Sequence, residues 1–238
     1  MTILDLVPAR VLAIYAHPDD PEVSCGGTLA RWSAAGSEVD LVVCNAGDKG
    51  SSDPSTKPET LVAARADEVA AAAAVMGLAG HVVLGIPDGE IENTVELRAE
   101  LVGRIRARRP DLVVAPDPTA VFFGDAYVNH HDHRAVGWAV LDACAPMAAG
   151  PLYFPEAGPA HQVGTVLLSG TLEPDCWVDI AETLATKLAA VACHRTQLPA
   201  GDHADALVEE VVRIRAEEAG EAAGLRLAEG FRRLAFAG

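Results

Sequence analysis

Short apolar runs alternate with helical periodicities through the first two-thirds of the chain. Residues 11–15, 39–44, 81–84 and 112–115 are compact apolar stretches bounded by charged or turn-forming residues, the pattern of buried strands. Between them, residues 28–35, 59–76 and 96–109 carry helical spacing, with Gly36, Gly77 and Pro110 where helix stops are expected. Residues 132–144 predict a fourth helix, 163–168 and 177–180 later strands, and 181–193 and 204–218 the last helices. Strands alternating with helices of this length predict an α/β fold: a mostly parallel sheet with helices on both faces, as a single domain over residues 1–238. Ligands bind such sheets beyond the carboxyl ends of the strands. That rule singles out residues 17–22, 47–49, 87–90 and 117–133, which hold much of the chain's polar and titratable chemistry.

Composition narrows the classes. A chain of 238 residues buries a core without disulfide or metal staples. At 50% hydrophobic and 22% charged residues, it is not a disordered chain. With 18 basic against 34 acidic residues, the net charge of -16 argues against a nucleic-acid partner. No apolar run reaches the roughly 18 residues that a membrane helix needs, and the amino-terminal stretch lacks the basic region of a signal peptide. The expectation is therefore a cytoplasmic protein with no membrane partner. The five cysteines show no CxxC spacing, so they read as buried thiols and not as a zinc site. Neither charge nor periodicity exposes a self-complementary patch, and a homo-oligomer stays open.

Two segments carry the chemistry. The first, AHPDDPEVSCGGTLA, sets His17, Asp19, Asp20 and Glu22 directly after a predicted strand. Neighbouring residues in a turning backbone point in different directions, so Asp19 and Asp20 are expected to do different work. His17 and Asp20 can converge on one ion; alternatively the acids merely cap a helix. The second segment, NHHDHRAVG, groups His130, His131 and His133 around Asp132. Two His and one Asp make a three-ligand set that leaves a position open for water, the arrangement of catalytic zinc. The same set describes the facial triad of non-haem iron oxygenases, but that reading gives Asp19 no role. A metal-bearing binding module would need neither Asp19 nor His130.

HPDDPE with CGGTLA, followed by HHDHRAVG, resembles the GlcNAc-PI de-N-acetylase family, also called PIG-L or LmbE-like deacetylases. The resemblance runs from Val11 to about Gly137, with fainter echoes in PDGE and AACHRTQ. It implies a Rossmann-like fold and zinc-dependent hydrolysis of an N-acyl group on an amino sugar, a small-molecule substrate. His17, Asp20 and His133 would be zinc ligands, Asp19 the general base, and His130 the acid or oxyanion stabiliser. Asp132 would orient a neighbouring histidine; from the residues alone it reads equally as a helix N-terminal carboxylate or a partner behind the ligands. Asp48, Arg65 and Asp88 fall in segments resembling those that hold the sugar, although Arg65 also suits a solvated pair with Glu68. The family's sugar-contacting Tyr falls on Val128, with Tyr127 beside it, and His131 stands where the family often has Pro. An amidase of a glucosamine-containing thiol conjugate is a variant of the same reading. Glu22 reads as a helix N-terminal carboxylate, and His194 as a helix C-terminal residue.

Overall fold

The computed structural model describes residues 2–198 and 204–236. The chain alternates as its pattern predicts. β1 (Thr2–Ile3) is followed by β2 (Arg10–Tyr15), α1 (Asp20–Ala34), β3 (Glu38–Asn45), α2 (Pro58–Met76), β4 (Gly80–Ile86), α3 (Val95–Arg108) and β5 (Leu112–Pro116). A hairpin of β6 (Phe122–Phe123) and β7 (Tyr127–Val128) leads into α4 (His131–Asp142). Then come β8 (Thr165–Ser169), β9 (Cys176–Asp179), α5 (Leu184–Val191), α6 (Ala204–Ala223) and β10 (Ala228–Ala235).

Eight strands form one sheet in the order β1-β9-β10-β8-β5-β2-β3-β4. Neighbours pair in parallel except β10, which lies antiparallel between β8 and β9. Alternate residues of β2 go to opposite cores. Val11, Ala13 and Tyr15 pack with residues of α1, α2, α5 and α6, while Leu12 and Ile14 pack with those of α3 and α4. Burial on both faces is why the central strands read as near-continuous apolar runs. No helix among the described residues is long and apolar enough to cross a membrane.

The structure differs from expectation where chemistry and distant pairing override local pattern. The helix expected over 28–35 begins eight residues earlier, at Asp20, so the polar DPE sequence is a first helical turn with Pro21 in a tolerated position. Cys25 (φ −147°, ψ 19°) breaks the helical path between that turn and the rest of α1. α5 covers only Leu184–Val191 of the helix expected over 181–193. β10, β1 and the β6–β7 hairpin had no counterpart in the pattern.

One residue organises the irregular stretch after α4. Arg106 on α3 is 2% exposed. It donates to the carbonyls of Met147, Ala148, Gly150, Tyr153, Phe154 and Gly158. Carbonyl dipoles take the place of a carboxylate around this buried cation. Arg106→Ala leaves those acceptors buried beside a cavity and is expected to cost about 3 kcal/mol. In thermal denaturation the Tm should fall by about 6–12 °C; a shift below about 2 °C would show that water replaces the guanidinium.

Candidate active site

β2 and β5 are neighbours whose continuations diverge: β3 lies beyond β2 on one side and β8 beyond β5 on the other. The crevice at their carboxyl ends is the switch point of the sheet, where ligands bind. His17 follows β2 there, and Asn129, His130 and His133 arrive on the segment that leaves β5 and enters α4.

Three donor atoms converge in that crevice. His17 Nδ1 lies 3.0 Å from His133 Nε2 and 3.3 Å from Asp20 Oδ2, and His133 Nε2 lies 3.1 Å from Asp20 Oδ1. Zinc holds N and O ligands at about 2.0–2.2 Å in a tetrahedron, which sets the ligand atoms about 3.3–3.6 Å apart. The observed separations are within a few tenths of an ångström of that spacing, so the residues fit the metal. The tautomer fits as well: His133 Nδ1 donates to Asn129 Oδ1 at 2.8 Å, which leaves Nε2 with its lone pair toward the cluster. Asp20 also accepts the backbone N–H of His17 at 2.7 Å, which fixes the turn between them.

A second grouping, His17 with His130 and Asp132, is also close enough to share an ion. Its carboxylate is already occupied. Asp132, fully buried, accepts from Gly89 N (2.8 Å), Asn45 Nδ2 (3.2 Å) and Ile91 N (3.3 Å). The side chain therefore ties three elements together and stands 3.4 Å from His17 Nε2, on the face of that ring away from Asp20. Asp88 Oδ1 stands 3.3 Å from the same nitrogen.

Charges at the site pull strongly on one another. Burial disfavours charge on His17, but the carboxylates of Asp20 and Asp88 lift it to about 10. Burial likewise raises Asp20, yet the imidazoles of His133 and His17 hold it far below the usual carboxylate range. Asp19 is pushed up to about 7 by burial and by Asp20, with Arg65 and His194 drawing it down. Burial and the charge of His17 lower His130. Its Nδ1 accepts from Asp132 N at 3.2 Å, so the neutral ring carries its proton on Nε2.

Asp19 caps α1 at φ 96°, a left-handed conformation that Asp and Asn adopt more readily than other side chains. Its carboxylate caps no helix N–H. Instead Asp19 lines, with Asp20 and His133, a cavity of about 760 Å³. Phe123 and Tyr127 of the hairpin, Leu172 and Arg215 form its outer wall. Tyr127 thus reaches the cavity, next to the exposed Val128 at which the family's Tyr was expected.

The remaining expected residues divide. Asp88 touches His17, and Asp48 Oδ1 accepts the N–H of Asp88 at 2.7 Å, so Asp48 braces the turn that carries Asp88. Arg65 is 3% exposed and not a solvated partner of Glu68. Its guanidinium donates to Gly47 O (3.3 Å), and a Cβ at Gly47 would collide with it. His131 turns outward to Glu92 at 3.5 Å, away from the cluster. His161 bonds Pro110 O, and His203 lies outside the described residues.

Asn129 and the pairing of Glu22 with His194 were not legible in the sequence. Asn129 left one trace, its place four residues before His133 in NHHDH. Glu22 does sit in the first turn of α1 but is buried against His194, whose side chain turns inward and not along a helix end.

Residues 12–144 match the family model described as PIG-L, GlcNAc-PI de-N-acetylase. The chain belongs to the GlcNAc-PI de-N-acetylase family. Among the relatives of this PIG-L protein, the diacetylchitobiose deacetylase of Thermococcus kodakarensis is 31% identical over 228 residues, covering 94% of this chain and 82% of the relative. A 1D-myo-inositol 2-acetamido-2-deoxy-alpha-D-glucopyranoside deacetylase of Streptomyces avermitilis is 30% identical over 187 residues, 68% of this chain and 61% of that protein. The solved N,N'-diacetylchitobiose deacetylase from Pyrococcus horikoshii, complexed with an inhibitor, superposes with a TM-score of 0.87 at 31% identity. That match covers 96% of this chain and 84% of the other, so the likeness extends well past residue 144.

Proposed function

We propose that this protein is a zinc-dependent hydrolase that removes the N-acetyl group from an amino sugar or an amino-sugar conjugate. The observation that carries the reading is the convergence of His17 Nδ1, Asp20 and His133 Nε2 within 3.0–3.3 Å, with Asp19 beside them and outside the donor set. Binding without turnover needs the three donors alone; the free carboxylate on the cavity wall favours hydrolysis. The named activities of the Thermococcus and Streptomyces relatives, both deacetylases, support the substrate class.

Zinc held by His17, Asp20 and His133 would polarise the amide carbonyl and lower the pKa of a bound water to about 7. Asp19, facing the same cavity, takes the proton as the water oxygen bonds to the acyl carbon. His130 offers Nε2–H as a hydrogen bond to the carbonyl oxygen as negative charge develops there. The C–N bond breaks, acetate leaves, and the nitrogen departs as an amine carrying the proton that Asp19 took from the water. Asp132 and Asp88, at 3.4 and 3.3 Å from His17 Nε2, orient the His17 ring toward Asp20 and His133.

The cavity of about 760 Å³ accommodates a sugar together with its substituent. Phe123 and Tyr127 suit the apolar face of a pyranose, while Asp48 braces the turn of Asp88 and Arg65 the loop at Gly47. The direct test is primary-amine release from N-acetylated mono- and disaccharides and glucosamine conjugates by zinc-loaded protein, with Asp19→Asn as the blank. Release by the wild type alone is expected. No release across the panel from stoichiometrically loaded protein would overturn the substrate class.

A further inference from the structure

We infer that the buried Glu22–His194 pair is a positioning device that sets the first turn of α1 and so aims the Asp19 carboxylate into the cavity. The inference rests on reading Asp19 as the base. Glu22 Oε2 and His194 Nε2 are 3.3 Å apart, and both side chains are 1% exposed. Neither side chain has an aligned hydrogen bond to any other described group. Each is therefore the other's compensation for burial, and removing one strands a charge.

The break at Cys25 explains why such a device is needed. Beyond it, α1 is held independently. Glu229 of β10 accepts from Gly27 N (3.0 Å) and Thr28 N (2.8 Å), and Lys187 of α5 donates to the same carboxylate at 2.5 Å. Those contacts stop at the break, so the first turn inherits little of their rigidity. At its other end stands Asp19 with its left-handed backbone, a strained conformation that the surroundings must impose. Val23 N bonds Asp19 O at 3.0 Å, which couples the turn to Asp19. Between strained cap and broken helix, Asp20 reaches His17 and His133 in the crevice, and Glu22 reaches His194.

The segment bearing His194 is itself fastened to the site. Thr196 donates through N (2.7 Å) and Oγ1 (2.8 Å) to the Glu68 carboxylate, one turn along α2 from Arg65. Gln197 donates to Gly50 O at 3.2 Å, in the loop under which Arg65 is tucked. Arg65 and His194 are thus carried by one connected wall, and Asp19 feels the charge of both. His194 in turn is raised against its burial by Glu22, Asp19 and Glu68.

The test compares wild type, His194→Phe, His194→Gln and the double variant Glu22→Leu/His194→Leu, all zinc-loaded. The double variant leaves no stranded charge and is expected to fold, since apolar replacement of a buried pair is often neutral. His194→Phe and the double variant should keep stoichiometric zinc and lose about 10- to 100-fold in kcat. KM should stay within about twofold, because the interaction acts on the chemical step. His194→Gln, which keeps a donor for Glu22, should recover most of the lost kcat. Wild-type kcat in the loaded double variant would overturn the inference. Crystal structures of wild type and double variant decide it without reference to turnover: a displaced Asp19 carboxylate is expected, and an unmoved one overturns it. A wild type that releases no amine would refute the activity, while the position of the Asp19 carboxylate in the two crystals would still decide the positioning role.

Discussion

Asp19→Asn is expected to lower amine release about 100- to 10,000-fold while zinc stays bound. Asn keeps the size of the side chain and shares with Asp the tolerance for φ 96°, so the strained cap of α1 survives the change. Ala would confound loss of the base with a new backbone cost. The three donor atoms do not include Asp19, and its main-chain bond from Val23 is unaffected. What disappears is the acceptor for the water's proton. Initial rates with a fluorogenic amine reagent and zinc content by mass spectrometry read the two effects separately. Parallel loss of zinc would make Asp19 a ligand; an undiminished rate would give the proton to another group.

The contrast between Asp19 and Asp20 was legible in the sequence because it follows from chain geometry: adjacent residues at a turn cannot share one direction. The central strands were legible for a related reason. β2, β3 and β5 are buried on both faces, and near-continuous apolar runs suit that environment. β10 lies in the same sheet yet reads AEGFRRLA, with a buried Glu229 and an exposed Arg233, and its place depends on pairing with β8 and β9. No local pattern encodes that pairing. The first turn of α1 was hidden differently. Asp-Asp-Pro-Glu is polar enough to read as a loop, and the burial of Glu22 makes sense only once His194 is brought to it from far along the chain. The surroundings of Arg65 were hidden for the same reason: the local pattern offers Glu68 as a partner, whereas Gly47 supplies the bond.

His133→Ala should abolish stoichiometric zinc, and Asn129→Ala should weaken it to a smaller degree. Asn129 meets the donor set through His133 Nδ1, at 2.8 Å. Losing such an outer partner typically costs about 10- to 100-fold in metal affinity. His133→Ala removes one of three donor atoms and with it the imidazole that holds Asp20 ionised, so its loss should exceed that of Asn129→Ala. The fold should persist in both, because His133 lies at the mouth of the crevice and the sheet is held by the apolar layers beneath. Competition with a fluorescent zinc chelator ranks the three proteins. Equal affinity of His133→Ala and wild type would remove this residue from the ligand set and shift attention to the His17, His130 and Asp132 grouping. An Asn129→Ala loss as deep as that of His133→Ala would mean that the orientation of the ring, and not its nitrogen alone, sets the affinity.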